Sequence, residues 1–205
     1  MLSPEFVTIV ELFIVFFIPL LMIYLRIIPF EYQMQVIYAL TIGVVFAMIA
    51  EGWTAEMMGF TTDNLLLSIV VYGLFTLVGV LILELLAKFT TRPVWYDWRK
   101  DKSLLYGFFP ISVGQELIFR SYLIPVLFVF FDQVWLVILV NALLFASMHL
   151  IFKLPKTVFL TLFAGGAAFA GIYIVLPNIV LISLSHAALN FVIVHFGFLR
   201  EEHRI

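Results

Sequence analysis

Long runs of apolar residues, separated by short polar stretches, repeat along the whole chain. An α-helix needs about 20 apolar residues to cross a bilayer, and these runs are continuously apolar rather than alternating as barrel strands are. The pattern therefore predicts helical crossings whose ends are set by flanking charges and by Gly and Pro. The predicted crossings are Phe6–Ile28, Gln33–Ala50, Asn64–Phe89, Leu104–Phe131, Val134–Phe152, Lys156–Leu176 and Asn178–Phe198.

Two connections and one helix depart from a simple repeat of crossings. Glu51–Asp63 is predicted to form a short surface helix or loop, and Thr90–Ser103 carries most of the loop charge. The fourth crossing is longer than a simple span and contains Gly107, Pro110 and Gly114. A proline inside a helix removes a hydrogen bond and kinks the chain, so we expect this crossing to be interrupted early.

Composition places the chain in the class of membrane proteins. Hydrophobic residues make up 64% of the sequence and the mean hydropathy is +1.17, against about 45–50% apolar residues in soluble domains. Backbone polar groups facing lipid must be satisfied inside helices or closed barrels. We therefore expect an all-α, polytopic integral membrane protein with about seven transmembrane helices, forming a single membrane domain over residues 1–205.

Charge and cysteine content exclude several function classes. The net charge of −2 gives no electrostatic basis for binding nucleic acid, so the expected partners are the lipid bilayer and membrane-anchored molecules. The oligomeric state stays open. The chain has no cysteine, which excludes disulfides, thiolate metal ligands and a cysteine nucleophile.

Basic residues fall on one side of the seven-crossing arrangement. By the positive-inside rule that side is cytoplasmic, which puts the N-terminus outside and the C-terminus inside, in what we expect to be the plasma membrane. The first apolar segment lacks a basic leader, so it is expected to remain as a helix and not to be a cleaved signal peptide. The residues on the basic side are Arg26, Lys88, Arg92, Arg99, Lys100, Lys102, Lys153, Lys156, Arg200 and Arg204.

Three short fragments place polar side chains inside apolar segments: Gln115–Arg120, Phe145–His149 and His186–Asn190. Such groups are costly in a bilayer and usually face the protein interior or water. Residues four apart lie on one helix face, so Glu116 is expected to pair with Arg120, while Gln115 points away from them. The fragments together predict one polar intramembrane cleft.

The depth of this cleft follows from where the fragments lie in their crossings. His149 comes four residues before Lys153, near the cytoplasmic end of its predicted helix, so the cleft should open toward the cytoplasm. Glu116 fits the same depth if the fourth span begins near Pro110. His186 is expected nearer the middle of the membrane.

The order and spacing of the fragments resemble the CAAX-protease and bacteriocin-processing family, the glutamic intramembrane proteases also called the Abi or Rce1-like family. That family carries Glu-Glu-x-x-x-Arg, Phe-x-x-x-His and His-x-x-x-Asn or Asp on successive helices. The resemblance covers a core of about residues 104–198. It implies cleavage of a membrane-anchored peptide or protein by an activated water, without a metal or another cofactor.

Carried over by position, the resemblance assigns water activation to Gln115 and His149 and oxyanion stabilisation to His186 and Asn190. The catalytic candidates are thus Gln115, Glu116, Arg120, His149, His186 and Asn190, while Phe145 is read as packing because the chain has 23 phenylalanines. Gln115 stands where the family has its first glutamate. An amide can hold a water but cannot take its proton.

Three readings of Gln115 remain open: an isosteric inactivated protease, a naturally non-catalytic relative, or a protease in which Glu116 acts as the base. A different class of function is a non-catalytic membrane protein that binds a peptide or regulates a partner through the same cleft. A small transporter is a third class. His149, His186 and Glu116 also form a potential two-histidine, one-carboxylate zinc set, although no HExxH motif is present.

Overall fold

The computed structural model describes residue 10 and residues 13–29, 32–90, 102–149 and 156–196. Within these residues the chain forms seven helices and no strand, which confirms the predicted all-α class. The helices are α1 (π-helix Phe13–Phe17 continued by α-helix Ile18–Tyr24), α2 (Gln33–Ala50), α3 (Leu65–Thr90), α4 (α-helix Lys102–Glu116, π-helix Leu117–Tyr122, α-helix Leu123–Phe130), α5 (Val134–Met148), α6 (Lys156–Val175) and α7 (Ile179–His195).

Local residue chemistry explains several of the helix ends. Helix α2 has the predicted bounds, and the chain leaves it through Gly52 at a φ of 82°, a conformation that glycine adopts at little cost. Asn64, at a φ of 50°, precedes α3. Asn178 caps α7, because its side-chain oxygen accepts a hydrogen bond from Leu181 N at 3.0 Å.

Two of the predicted elements need correction. Helix α1 ends at Tyr24 instead of Ile28, since the chain turns there and Arg26 takes a φ of 58°. Helix α4 keeps its α-helical form through Pro110 as far as Glu116, so the expected early interruption is wrong in position. The helix instead widens into the π-helical segment Leu117–Tyr122, all of whose residues are buried.

Other sequence predictions fall on residues 91–101, 150–155 and 197–205, outside the described part of the chain. They include most of the charged connection Thr90–Ser103, the predicted end of the fifth crossing at Phe152 and that of the seventh at Phe198. Arg92, Arg99, Lys100, Lys153, Arg200 and Arg204 also lie there. Between α2 and α3 the chain makes turns without a regular helix, which confirms the loop expected over Glu51–Asp63.

Helix α4 lies in the centre of the helix packing. It contacts α2, α5 and α7, while α7 also packs against α3, and α5 packs along α6. The π segment of α4 contributes much of the buried apolar core, including Leu117, Phe119 and Tyr122. This arrangement brings the polar residues of α4 against those of α7.

Apolar surface and helix length agree with a membrane protein. Two helical stretches in the described residues, Leu65–Lys88 of α3 and Gly107–Phe130 of α4, are long and apolar enough to cross a bilayer. Four shorter helices are also apolar. Along α3, large apolar side chains such as Leu66, Leu74 and Leu81 are exposed, as on a surface that faces lipid.

Candidate functional site

Glu116 and Arg120 form a buried ion pair at the start of the π segment of α4. Oε2 of Glu116 lies 3.1 Å from Nε of Arg120, and both side chains have no exposed surface. The contact confirms the pair predicted from their spacing. This contact is an ion pair without an aligned hydrogen bond, since neither Oε2 of Glu116 nor Nε of Arg120 has a hydrogen-bond partner within the described residues.

The other oxygen of Glu116 contacts His186 of α7. Nδ1 of His186 lies 2.5 Å from Oε1 of Glu116, and the imidazole is almost completely buried. A carboxylate only accepts hydrogen bonds, so Nδ1 carries the donated proton when Glu116 is ionised. The contact brings together two residues that the sequence places on different helices.

Arg120 is held by a backbone carbonyl and by aromatic rings. Its Nη2 donates a hydrogen bond to the carbonyl oxygen of Gly166 on α6, at 3.2 Å. The guanidinium carbon lies 4.7 Å from the centre of the Phe145 ring, and the rings of Phe169 and Phe119 lie at 5.6 and 5.9 Å. Aromatic faces attract a buried cation, so these rings offset part of the desolvation of Arg120.

His149 follows the last residue of α5 and is oriented by its own helix. Nδ1 lies 2.8 Å from the carbonyl oxygen of Phe145. Because a carbonyl only accepts, this bond assigns the proton to Nδ1 and leaves a lone pair on Nε2 in the neutral imidazole. That tautomer is the form that a general base requires.

Asn190, the last residue of the third fragment, contacts α4. Its Nδ2 donates a long hydrogen bond to Oγ of Ser112, at 3.4 Å. Ser112 lies one helical turn before Glu116 and is completely buried. The third fragment is therefore joined to α4 twice, through His186 and through Asn190.

Gln115 precedes Glu116 and is partly buried. Its side-chain oxygen has almost no exposed surface and accepts no hydrogen bond from the described residues. A buried amide oxygen without a donor is unusual, because burial of an unpaired polar atom is costly. This oxygen can accept a hydrogen bond from a water.

The structure joins four of the six candidates through direct contacts or one intervening side chain. Glu116 contacts Arg120 and His186, and the ring of Phe145 lies between His149 at 4.9 Å and His186 at 5.7 Å. Outside this group of four, Asn190 bonds to Ser112 of α4.

Sequence reasoning missed the central position of Phe145 and the roles of Ser112 and the Gly166 carbonyl. Phe145 stands four residues before His149, which was a usable signal. The other two contacts run between helices and leave no periodic trace in the sequence. Asn141 of α5 makes a further bond between helices, since its Nδ2 donates to the carbonyl of Phe119 in the π segment at 2.5 Å.

The end of the site near the α2–α3 connection is closed by polar contacts. The carbonyl of Met58 accepts hydrogen bonds from Ser121 Oγ at 2.8 Å and from Tyr173 OH at 3.4 Å. Asn178 Nδ2 donates to the carbonyl of Thr61 at 2.9 Å. These bonds hold the α2–α3 connection against α4, α6 and the start of α7.

No group of three histidine or acidic side chains in the described residues has the arrangement of a metal site. The suggested zinc set is represented there by the Glu116–His186 contact alone. Oε1 of Glu116 and Nδ1 of His186 bond to each other, so neither atom is directed at an ion in this arrangement.

Together these features define an apolar, all-helical protein in which the buried side chains of Glu116, Arg120 and His186 lie with the half-buried Gln115, His149 and Asn190 in one polar site. A family model described as type II CAAX prenyl endopeptidase Rce1-like matches residues 102–192, which comprise α4, α5, α6 and most of α7. The match supports the resemblance of this motif-bearing part of the chain to the Rce1-like family, whose members are membrane-embedded proteases. No significant similarity was found to a curated protein or to a solved structure.

Proposed function

We propose that the chain has the scaffold of an intramembrane endopeptidase of the glutamic Rce1-like type, a class that hydrolyses a membrane-anchored peptide or protein, with its site near the cytoplasmic face. The observation that carries the proposal is the contact of Glu116 with both Arg120 and His186, because it unites the first and third motifs of the family. The chain crosses the membrane seven times, with the N-terminus outside and the C-terminus cytoplasmic.

In this mechanism His149 takes a proton from the attacking water and returns it to the amine nitrogen that leaves when the peptide C–N bond breaks. Its assigned tautomer places the lone pair on Nε2. The side chain of Gln115, with its buried and unpaired oxygen, holds the water but does not share its proton. A carboxylate at position 115 would share the base work, so we propose that the chain as given is inactive or impaired.

His186 and Asn190 stabilise the oxyanion that develops on the scissile carbonyl. Donors fixed in place before the reaction are most effective, because no reorganisation is needed when the charge forms. Glu116 fixes His186 through Nδ1, and Ser112 fixes Asn190. Both oxygens of Glu116 are engaged, which favours a positioning role for this carboxylate over a role as the base.

The test compares the purified chain with Gln115→Glu and with Gln115→Glu/His149→Ala, in liposomes that contain a mixture of lipid-anchored peptides. Gln133→Glu makes the same chemical change at an exposed position and serves as the matched control. Products are read by mass spectrometry in water enriched in heavy oxygen, which hydrolysis incorporates into the new carboxylate. We expect cleavage by Gln115→Glu alone, unaffected by a chelator because the proposed site uses no resident metal.

Other outcomes assign a different function. Cleavage by the unchanged chain at the same rate would move the base away from position 115, and inhibition by the chelator would favour a metal. Specific peptide binding with no cleavage by any form would favour the second candidate, a non-catalytic peptide-binding or regulatory protein. That candidate rests on Gln115, since an amide at this position binds without providing a base.

A further inference from the structure

The ring of Phe145 lies at the centre of the site, although the mechanism above does not use it. Its centre is 4.7 Å from the Arg120 guanidinium carbon, 4.9 Å from the His149 ring and 5.7 Å from the His186 ring. The side chain is buried, and it also meets Phe119 edge to face at 5.3 Å. One aromatic side chain thus touches groups from all three motifs.

The space for this ring is provided by Gly166 of α6. A Cβ added to Gly166 would lie 3.0 Å from Cδ1 of Phe145 and 3.5 Å from the Cα of Ala142. The same residue accepts the hydrogen bond from Arg120 through its carbonyl. Gly166 therefore faces both the ring and the guanidinium, whereas the neighbouring Gly165 has no atom within 4 Å of its Cβ position.

We propose that Phe145 and Gly166 are positioning residues of the site: Gly166 leaves room for the Phe145 ring, and the ring sets the relative placement of His149, His186 and Arg120. The proposal rests on the proposed peptidase function for its catalytic consequence. Its structural part is independent of that function. Neither residue touches the reacting atoms.

The physical reason is the tight packing around the ring. A Cβ at Gly166 would lie 3.0 Å from Cδ1 of Phe145, which is too close, so the ring must move by a few tenths of an ångström. The displaced ring then shifts the imidazoles of His149 and His186, which it contacts. Small displacements of reacting groups reduce rates strongly, whereas substrate affinity depends on contacts elsewhere in the cleft.

The first experiment keeps Gln115, needs no peptidase activity and detects displacement of the histidine rings. The chain has four histidines, so selective isotope labelling gives four ring signals by NMR in detergent, assigned by single His→Gln changes. We expect Gly166→Ala to shift the signals of His149 and His186 and to leave that of His203 in place. Gly165→Ala makes the same change one residue away and should shift neither signal.

Phe145→Leu provides the second variant. It removes the ring current, so the signals of His149 and His186 should both shift. Added to Phe145→Leu, Gly166→Ala should have little further effect, because the ring that it displaces is absent. Unchanged signals in both Gly166→Ala and Phe145→Leu would overturn the proposal, as would equal shifts in Gly165→Ala.

The second experiment measures turnover in the Gln115→Glu background. Gly166→Ala should lower kcat by about tenfold or more and change KM little, since displacement acts on the reacting groups. Gly165→Ala should leave both constants unchanged. A loss of kcat that is equal in the two glycine variants would contradict the proposal. If Gln115→Glu does not cleave, the peptidase function fails, and the NMR shifts still decide whether Phe145 and Gly166 position the site.

Discussion

Nδ1 of His186 lies 2.5 Å from Oε1 of Glu116, although the two residues are 70 positions apart in the chain. Glu116 also contacts Arg120 through its second oxygen. The carboxylate therefore links two helices and balances a buried cation at the same time. A residue with both tasks should affect stability as well as activity when it is changed.

The ion pair of Glu116 and Arg120 is expected to show strong energetic coupling. Removal of one partner leaves the other charged and buried, which costs about 3–5 kcal/mol, whereas removal of both charges is far less costly. Glu116→Gln and Arg120→Met should each lower the unfolding temperature in detergent strongly. The double variant should lose clearly less than the sum of the two single losses.

Glu84→Gln is the matched control, because Glu84 is exposed on α3 and the same chemical change there should have little effect on the unfolding temperature. Strictly additive losses in the double variant would show that the two charges are not coupled. His186 would then be the only partner that matters to Glu116.

Gly59 is expected to be the least replaceable glycine in the α2–α3 connection. It has a φ of 87°, and the nearest atoms to an added Cβ belong to the hydroxyl end of Tyr173. Gly52 has a similar φ of 82° but open space around it. A left-handed conformation costs a non-glycine residue about 1–2 kcal/mol. Gly52→Ala should lower the free energy of unfolding by only that amount, and Gly59→Ala should lower it by more.

The additional destabilisation expected in Gly59→Ala, compared with Gly52→Ala, should come from the Tyr173 hydroxyl. Tyr173→Phe in the Gly59→Ala background should recover part of the lost stability, because it removes the atom that an added Cβ would meet first. Thermal unfolding of the single and double variants measures this recovery. Equal losses at Gly52 and Gly59, with no recovery, would mean that the connection adjusts its distance from α6 freely.

The sequence was sufficient for features that depend on position along one helix. The bounds of α2 and the Glu116–Arg120 pair follow from apolar run length and from a spacing of four residues. The π segment after Glu116 could not be predicted, because its stability depends on burial against other helices and on bonds such as that of Asn141 to Phe119.

Contacts between helices also could not be predicted from the sequence. The Glu116–His186 contact and the space at Gly166 depend on how α4, α6 and α7 pack, which no spacing within one helix encodes. Phe145 was read as ordinary packing because phenylalanine is abundant in this chain. Its position among three motifs became visible only through the distances to Arg120, His149 and His186.

The proposed orientation in the membrane gives a prediction that needs no enzymatic activity. The α2–α3 connection is bonded to Asn178 and Ile179 at the start of α7, so the two connections lie at one end of the helices. The proposed orientation puts that end outside the cell. A cysteine at Glu56 or Asp132 should therefore react with a membrane-impermeant maleimide in intact cells.

A cysteine at Lys88 should react only after permeabilisation, because Lys88 follows the long apolar stretch of α3 toward the opposite side. All three positions are exposed, and the chain has no other cysteine, so each label reports a single site. The reverse labelling pattern would invert the orientation and move the opening of the cleft to the outer face. Labelling of Glu56 and Lys88 positions from the same side would contradict the crossing by α3, and with it the seven-crossing arrangement on which the cytoplasmic location of the site depends.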